Sequence, residues 1–491
     1  MTARIEIGAP IGDVSPLLFG HFIEFIEDCI IGGVYQPEHA LANSRGVRMD
    51  VLEKCRTLRP SILRFPGGTA ANLYHWENDV GPVENRRLSR NLIWGGQLGG
   101  GFGTDEYIRF CRDLGAEPMI CINMVTGTPE EAGNWVEYCN GTGAGHYSGL
   151  RIQNGHDEPF SVKYWCIGNE SNGEPDLGPH HRPSRYIEDA WEFAKIMKLT
   201  DPDISLIFVG SAVDMAWNAE ILEALSPICD YLSLHYYGRE SDEDPLYSFR
   251  QTEFDFADSM QKAAALCGRY PAKVESFDRW YRFPPRKGPI RLCIDEWGLW
   301  NSHRGSDTDP YGFHVPYTWR SAVWTADFLN LLVRSAKNIG IANFAQLINV
   351  LAPIITSEDR TFVQSVFHPL SAYSREIKPI LLDLKIECNM IGETERISAL
   401  SGCVTADEDG DITLALVNRG SEPVPCLVPG MNHINAWALR APKMNSICDA
   451  ASDPVTRTDR DWESFGGYTL APGEILFSHL TSCFPPQRVK F

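Results

Sequence analysis

The feature that most constrains the fold is a repeated alternation of strand-like and helical segments between residues 17 and about 355. Short apolar runs that suit buried parallel strands alternate with amphipathic stretches of helical period. Eight alternations are the number that closes a (β/α)8 TIM barrel, an α/β fold. The predicted strands are residues 17–24, 61–65, 117–123, 161–170, 204–210, 231–235, 290–296 and 344–350.

Among the predicted helices, the one with the clearest start follows Thr128. Thr128-Pro-Glu-Glu131 supplies an N-cap, a proline at the first helical position and a capping-box glutamate, and the helix is expected to end near Gly141. Residues 141–159, rich in Gly, His and Asn, are predicted to form a loop. The other predicted helices are residues 47–58, 104–114, 184–199, 218–225, 246–267 and 318–338.

An open, doubly wound sheet is the alternative to the barrel. It would carry a glycine-rich phosphate loop after its first strand, and Gly20-His-Phe-Ile-Glu24 is not such a loop. Beyond about residue 375 the pattern changes to β-rich segments separated by Gly, Pro and Asp turns, which predicts a separate β-sandwich. We therefore expect an N-terminal strand at 1–16 packed with the sandwich, a barrel at 17–375 and the sandwich at 376–491.

Charge and cysteine usage limit the partners and the compartment. The chain has 44 Lys and Arg against 64 Asp and Glu, a formal net charge of -20, which repels phosphate backbones and anionic lipid surfaces. Neither nucleic acid nor a membrane is an expected partner. The sequence shows no N-terminal signal pattern, and its 14 cysteines include no C-x-x-C, which favours free thiols in the cytoplasm.

Two predicted strands end on carboxylates. The run Arg291-Leu-Cys-Ile-Asp-Glu-Trp297 ends on Asp295 and Glu296, and the run that begins at Ser161 ends on Asn169 and Glu170. In a barrel of this class, catalytic residues lie at the C-terminal ends of the strands. Glu170 and Glu296 are therefore predicted to form a catalytic pair, although a single strand-end glutamate often only caps a helix or pairs with a surface arginine.

The other strand ends carry polar and aromatic side chains that suit a neutral, polyhydroxylated ligand. A metal-dependent hydrolase is the rival interpretation, but no H-x-H or H-E-x-x-H motif occurs, and His180-His181 lies in a proline-flanked segment. We therefore expect neither a metal nor a cofactor. The candidate substrate-binding residues are Glu24, Arg64, Asn169, His235, Tyr237, Trp297 and Gln346.

These strand ends and their flanking loops contain a series of short motifs, which are Gly20-His-Phe-Ile-Glu24, Gly32-Gly-Val-Tyr35, Arg64-Phe-Pro-Gly-Gly68, His75-Trp76, Phe102-Gly-Thr-Asp-Glu106, Gly168-Asn-Glu170, Leu234-His235, Asp295-Glu-Trp297 and Ala345-Gln346. Their order and spacing between about residues 17 and 355 resemble glycoside hydrolase family 51, the intracellular α-L-arabinofuranosidases. The resemblance implies a (β/α)8 barrel with a C-terminal jelly-roll-like domain and retaining hydrolysis. It also implies Glu170 as acid/base and Glu296 as nucleophile.

The chemistry of the residues agrees with those roles. A retaining glycosidase needs two carboxyl groups roughly 5 to 5.5 Å apart. Arg64 would keep Glu296 ionised, whereas an anionic neighbour would favour the protonated form of Glu170.

Further roles are expected for the flanking residues. Asn169 is expected at the sugar 2-hydroxyl, Glu24 and Gln346 at other hydroxyls, and Tyr237 at the nucleophile. A purely structural role stays open for His235 and Tyr237 as a core pair, and for Arg64 as a buried ion pair.

The sequence departs from the family pattern around the sugar pocket. Phe25, Glu27 and Asp28 follow the first-strand glutamate where many members have His, Gly and Arg. Thr69, also a candidate substrate-binding residue, stands where Asn or Cys is common, and Gly298 follows Asp-Glu-Trp where Asn is frequent. Retaining chemistry is therefore better supported than the identity of the sugar.

The sequence thus predicts an exo-acting, retaining α-L-arabinofuranosidase that is cytoplasmic and cofactor-free and trims short arabinose-bearing oligosaccharides. The family resemblance further implies a homo-oligomer. One alternative is the same machinery acting on a galactofuranoside, a β-xyloside or a β-glucan. Another is a non-catalytic carbohydrate-binding barrel, against which the retention of both Glu170 and Glu296 argues.

Overall fold

The computed structural model describes residues 2–172, 182–272, 274, 283–463 and 466–482. The strands of the first 375 residues are β1 (Ala3–Asp13), β2 (Gly20–Phe22), β3 (Ile62–Phe65), β4 (Ser89–Arg90), β5 (Gln97–Leu98), β6 (Glu117–Cys121), β7 (Tyr164–Ile167), β8 (Ser205–Val209), β9 (Tyr231–Gly238), β10 (Arg291–Leu299), β11 (Ile339–Phe344), β12 (Ile354–Thr356) and β13 (Thr361–Val363). The helices are α1 (Met49–Leu58), α2 (Thr104–Leu114), α3 (Pro129–Asn140), α4 (His146–Gln153), α5 (Pro183–Thr200), α6 (Met215–Leu225), α7 (Tyr247–Arg250), α8 (Ala257–Cys267), α9 (Trp319–Arg334) and α10 (Phe367–Glu376).

Eight parallel strands close into a barrel in the order β10-β11-β2-β3-β6-β7-β8-β9. Most of these strands are buried along their whole length because helices cover the outside and side chains fill the inside. The predicted barrel is confirmed, and the open doubly wound sheet is wrong. The closed ring brings the C-terminal ends of all eight strands to one mouth.

The first and last barrel strands differ from their predicted bounds. The first is only β2, because Pro16–Phe19 forms a 3-10 helix in which Ser15 caps the start. The last is β11, which ends at Phe344, where the prediction had it begin. The apolar run continues past residue 344, but Asn349 and Leu351 take positive φ values, so the backbone turns instead of extending.

The helix after Thr128 begins as predicted, since the Thr128 hydroxyl oxygen accepts a hydrogen bond from the Glu131 amide at 3.1 Å. The predicted loop at 141–159 is wrong in part, because it contains α4. Arg151 on α4 is buried and donates to the Tyr138 and Gly141 carbonyls at 2.9 and 2.7 Å, which fixes this short helix against α3. The helix predicted at 246–267 is α7 and α8 joined by a π-helical segment at Gln251–Phe256.

A sheet-rich domain follows the barrel. Its strands are β14 (Ile380–Glu387), β15 (Met390–Ile391), β16 (Ile397–Ser398), β17 (Leu400–Ala406), β18 (Ile412–Asn418), β19 (Val424–Leu427), β20 (Met431–Arg440), β21 (Thr456–Arg460), β22 (Gly467–Leu470) and β23 (Ile475–Ser482). The order in its main sheet is β21-β20-β23-β18-β17-β14-β1-β19-β22, so the N-terminal strand lies inside this sheet, antiparallel to β14 and parallel to β19.

This sheet folds over on itself. The Tyr468 hydroxyl on β22 lies 2.7 Å from the Ser478 hydroxyl on β23, although the two strands are six places apart in the sheet order. In a flat sheet that separation would be roughly 29 Å. The two ends of the order also meet, because Arg460 on β21 donates to the Thr469 carbonyl on β22 at 2.8 Å. The domain therefore encloses its own apolar core between two layers.

The two domains are held together at α9. Asn330 donates to the Ser401 hydroxyl at 3.2 Å, and Arg334 donates to the Gly402 carbonyl at 2.7 Å. Arg419, from the sheet-rich domain, forms an ion pair with Asp327 at 3.4 Å. These contacts join a helix of the barrel domain to the sheet-rich domain. Within the described residues, no helix is both long and apolar enough to cross a lipid bilayer.

Candidate active site

Glu296 lies near the end of β10 and is almost fully buried at 5% exposure. Arg64, from the end of β3, donates to Glu296 Oε1 at 2.6 Å, and the Tyr237 hydroxyl donates to Oε2 at 2.7 Å. An arginine and a phenol therefore hold both oxygens of this carboxylate and fix its orientation.

A bulge in β10 explains why two consecutive acids face the barrel interior. Cys293 pairs with Ser233, and Glu296 pairs with His235, so β10 uses one more residue than β9 over this interval. Asp295 consequently points inward as well, where its Oδ1 accepts from the Ser233 hydroxyl at 2.5 Å. Regular alternation would have placed only one of the two acids inside.

Glu170 follows β7 and has a positive φ of 46°, which turns its side chain toward the mouth. Its Oε1 lies 2.9 Å from His235 Nδ1, and its side chain is 29% exposed. One carboxylate oxygen of Glu170 and one of Glu296 lie within 4.8 Å of each other. The two carboxyl groups are therefore close together, which agrees better with the roughly 5 to 5.5 Å separation of a retaining glycosidase than with the roughly 6.5 to 9.5 Å of an inverting one.

His235 connects the three acids at the mouth. Its Nδ1 lies 3.5 Å from Glu296 Oε2, and its Nε2 lies 3.5 Å from Asp295 Oδ1. Burial alone would lower the pKa of His235, but the Glu296 and Asp295 carboxylates outweigh burial and raise this pKa well above its ordinary value. The carboxylates around His235 therefore favour its cationic form.

Glu24, just after β2, forms a second buried cluster. Its Oε1 accepts from the Ala70 amide at 2.9 Å and from the Trp94 indole at 3.1 Å, and its Oε2 accepts from the Gln346 amide at 2.9 Å. Burial raises the pKa of Glu24 to about 7 despite these donors. Near neutral pH this carboxyl can therefore either donate to or accept from a ligand hydroxyl.

Asn169 is placed by the same arginine that holds Glu296. Arg64 donates to Asn169 Oδ1 at 2.7 Å, while Asn169 Nδ2 is buried without a hydrogen-bond partner among the described residues. An unpaired buried amide is costly, which is the condition expected of a group that waits for a ligand oxygen. Thr69 is buried nearby at the start of the 3-10 helix Thr69–Leu73.

Trp297 does not lie in the site, which corrects the sequence prediction. Its ring is 1% exposed and stacks on Phe328 of α9, with ring centroids 4.6 Å apart, and it meets Phe344 edge-on at 5.0 Å. After the β10 bulge the side chains alternate again, so the residue that follows Glu296 points outward into the helix layer. Trp297 supports the strand and is not placed to touch a sugar.

Two site residues escaped sequence reasoning. Asp295 was not predicted as a site residue, because the neighbouring sequence does not indicate the bulge that turns its side chain inward. Trp94 lies between β4 and β5, and its indole donates to Glu24. The sequence pattern that could have identified it is an aromatic residue in a glycine-rich loop after a barrel strand. The resulting cavity has a volume of about 410 Å³ and is lined by residues that include Trp94, Glu170, His235, Tyr237, Arg239 and Trp300.

Three groups of side chains in the described part of the chain have donor atoms close enough to hold a metal ion: Glu170, His235 and Glu296; Glu27, Asp28 and His314; and His368, Cys448 and Asp453. In the first group, the Arg64 guanidinium would repel a metal cation, and the raised pKa of His235 means that a proton would compete with the metal for the imidazole ring. Metal-independent hydrolysis stays a prediction. His180 and His181, considered for the rival mechanism, lie outside the described residues.

The geometry supports a specific kind of chemistry. A buried, oriented carboxylate, Glu296, lies close to a more exposed carboxyl, Glu170, and two such groups can attack an anomeric carbon and protonate its leaving oxygen. The unpaired Asn169 amide nitrogen and the Glu24 carboxyl, which accepts a hydrogen bond from Gln346, are further groups that suit sugar hydroxyls.

Comparison with known proteins agrees with this geometry. The family model described as the α-L-arabinofuranosidase 1 domain matches residues 54–258, and the model of the α-L-arabinofuranosidase C-terminal domain matches residues 295–472. The chain is 31% identical over 479 residues to a probable α-L-arabinofuranosidase C of Aspergillus niger, covering 92% of this chain and 91% of the relative. It is 32% identical over 431 residues to intracellular exo-α-(1→5)-L-arabinofuranosidase 1 of Bacillus subtilis, covering 84% and 83% of the two chains.

Two solved structures of α-L-arabinofuranosidases match almost the whole chain. The α-L-arabinofuranosidase from Thermotoga maritima, in its arabinose complex, superimposes with a TM-score of 0.86 at 30% identity and covers 98% of this chain and 99% of that one. A second, from Thermotoga petrophila and described as a GH51 enzyme, gives a TM-score of 0.85 at 29% identity, with 97% and 99% covered. From these matches, which extend over both the barrel and the sheet-rich domain, the chain belongs to the α-L-arabinofuranosidases of glycoside hydrolase family 51.

Proposed function

We propose that this protein hydrolyses terminal α-L-arabinofuranosyl units from oligosaccharides with retention of anomeric configuration. The observation that carries the proposal is the pair Glu170 and Glu296, whose oxygens lie within 4.8 Å in the mouth of the barrel. Family membership supports the assignment of the sugar as arabinofuranose. The different environments of the two carboxyls support Glu296 as the nucleophile and Glu170 as the acid/base.

In the first step, Glu296 attacks the anomeric carbon and forms an arabinosyl ester, while the bond from that carbon to the leaving oxygen breaks. Arg64 and Tyr237 hold Glu296 as an oriented anion before the attack. Glu170 gives its proton to the leaving oxygen, so the aglycone departs as a neutral alcohol. His235, which bonds to Glu170, positions that carboxyl.

In the second step, Glu170 is a carboxylate and removes a proton from a water molecule that attacks the same anomeric carbon. The ester bond to Glu296 breaks, Glu170 regains its proton, and two inversions give net retention. Asn169, Glu24 and Gln346 are proposed to bind the sugar hydroxyls throughout. The unpaired Asn169 amide hydrogen atoms and the Glu24 carboxyl with its pKa of about 7 suit such contacts.

We propose further that the enzyme is exo-acting, works in the cytoplasm on short oligosaccharides, and assembles as a homo-oligomer. The Bacillus subtilis relative, whose name describes an intracellular, exo-acting enzyme, supports the exo action and the location inside the cell. The homo-oligomer rests on the family resemblance alone, and sedimentation at several protein concentrations would test it.

A side-by-side screen of aryl glycosides tests the sugar assignment. We expect hydrolysis of 4-nitrophenyl α-L-arabinofuranoside to exceed that of the matched β-D-galactofuranoside, β-D-xylopyranoside and β-D-glucopyranoside. The first-formed sugar, followed by proton NMR, should be the α-anomer. Preferred hydrolysis of another glycoside would overturn the assignment of the sugar, and a first-formed β-anomer would overturn the retaining mechanism.

A further inference from the structure

The cavity beside Glu170 is lined by residues other than the buried groups Glu24, Asn169 and Gln346. Its outer wall is formed by residues that follow β8, β9 and β10, among them Ser211, Arg239 and Trp300. Since Glu170 protonates the departing oxygen in the proposed mechanism, this part of the cavity faces the leaving group. Its side chains therefore decide which aglycones are accepted.

Arg239 is the distinctive residue of this wall. It is exposed, directly follows β9, and has no hydrogen bond or ion pair with any of the described residues. The acids that follow it in the chain are occupied elsewhere: Glu240 pairs with Arg304 at 2.7 Å, and Asp242 pairs with the same arginine at 2.6 Å. In a chain of net charge -20, Arg239 is a cation at the active-site mouth without an ion-pair partner among the described residues.

The aromatic residues around Arg239 form a fixed surface. The Trp300 indole donates to the Tyr311 carbonyl at 2.7 Å, and its ring stacks on Phe313 with centroids 5.6 Å apart. Trp300 also meets Tyr237 edge-on at 5.5 Å, which ties this surface to the nucleophile's own hydrogen-bond partner. A planar indole beside polar groups suits the apolar face of a sugar ring.

We propose that Arg239 makes this wall a leaving-group subsite for an acidic sugar, namely a uronic acid unit to which the arabinofuranosyl group is attached. The inference rests on the proposed function, because it assumes that Glu170 faces the leaving group. The guanidinium can hold a carboxylate through two parallel N–H donors, while Trp300 covers the ring. The local positive charge offsets the repulsion that the acidic surface exerts on an anionic substrate.

The test compares matched substrate pairs in wild-type enzyme and in variants. One pair is 3-carboxyphenyl and 3-carbamoylphenyl α-L-arabinofuranoside, and the other is an arabinofuranosyl disaccharide on a hexuronic acid or on the corresponding neutral hexose. The readout is the acidic-to-neutral ratio of kcat/KM, since intrinsic leaving-group differences cancel when the ratio is compared between variants. Arg239→Met removes the charge and keeps much of the stem, and Arg239→Lys keeps the charge.

We expect Arg239→Met to lower both ratios about two- to fivefold at low salt, as for an exposed ion pair, and Arg239→Lys to keep most of the preference. High salt should shrink the difference because it screens exposed charges. Arg269→Met is the matched control: Arg269 is exposed, has no side-chain partner among the described residues, and follows α8 at the opposite end of the barrel. Its ratios should equal those of the wild type.

Two results would contradict the inference in distinguishable ways. A uronate ratio that is unchanged in Arg239→Met would overturn the subsite, and hydrolysis of the neutral substrates would leave the proposed function standing. If wild-type enzyme hydrolysed neither member of either pair, the proposed function itself would be wrong, and the proposed leaving-group subsite, which depends on it, would be wrong as well.

Discussion

Glu170 and Glu296 are the same residue type, and their neighbours give them different properties. Glu296 is buried and held by Arg64 and Tyr237, so its charge is compensated and its orientation is fixed. Glu170 is partly exposed and lies 2.9 Å from His235 Nδ1, so a leaving group or a water molecule can reach it from the cavity. One fold thus supplies both a nucleophile and an acid from two carboxyls.

Removing Glu170 should affect substrates according to their leaving groups. For Glu170→Ala we expect kcat/KM on poor leaving groups such as alkyl arabinofuranosides to fall by about 10²-fold or more, since general acid catalysis is typically worth that much. Activated aryl substrates need no proton in the first step and should lose far less kcat/KM. Initial rates across a series of aglycones measure this, and an equal loss for all aglycones would show that Glu170 is not the acid.

The raised pKa of Glu24 should be visible in the pH dependence of stability. Between pH 4.5 and about 7 the unfolded chain has lost this proton while the folded chain retains it. The folded state then binds more protons, so the free energy of unfolding falls as pH rises through this window, and the loss is complete above it. In Glu24→Gln the urea midpoint should fall less between pH 5 and pH 7.5.

Glu117→Gln, at the exposed start of β6, is the matched control and should keep the wild-type pH slope. Burial also raises the pKa of Asp79 to about 7 and that of Asp105 to about 6, so Glu24→Gln is expected to flatten the slope without removing it. An unchanged slope in Glu24→Gln would mean that Glu24 titrates near its ordinary pKa in the folded protein.

At the level of elements, the strands and helices that were predicted correctly are those that local residue patterns determine. Apolar runs that stop on Arg64, Glu170 and Glu296 identified strand ends at the mouth, because the polar functional residues of such a barrel lie at the C-terminal ends of its strands. Trp297 was misplaced because the bulge in β10 shifts the alternation by one residue. Trp94 was missed because only the folded hairpin brings it to Glu24.

The start of α3 offers a test of an element that was read directly from the sequence. Thr128→Ala removes the hydroxyl that accepts from the Glu131 amide, and Thr128 is exposed, so few other contacts change. We expect a loss of about 1 kcal/mol in the free energy of unfolding, measured from urea midpoints. Thr57→Ala, at an exposed position inside α1, is the control and should be neutral or slightly stabilising, because alanine is the better helix former.

At the scale of the whole molecule, the chain's first strand belongs to its last domain. β1 lies between β14 and β19, so residues 3–13 complete a sheet whose other strands begin at residue 380 or later. Sequence patterns predicted a β-rich C-terminal domain and a closed barrel, since both follow from local periodicity. They did not predict the strand order or the contact that folds the sheet over, because those depend on pairings between distant segments.

Chelation tests whether the whole molecule works without a metal. The closest candidate ligands at the mouth are Glu170, His235 and Glu296, beside the Arg64 guanidinium. We expect dialysis against EDTA to leave kcat and KM on an aryl arabinofuranoside unchanged. Loss of activity that a divalent ion restores would instead favour the metal-dependent mechanism.

The central claim is that Glu296 forms a covalent bond to the sugar, and trapping that bond tests it most directly. In Glu170→Ala the ester should form rapidly from an activated aryl arabinofuranoside and break down slowly, because water then lacks its general base. Rapid quenching, proteolysis and mass spectrometry should find one anhydro-arabinosyl unit on the peptide that contains Glu296. A sugar attached to a different residue, or turnover in which no covalent adduct accumulates, would contradict the account.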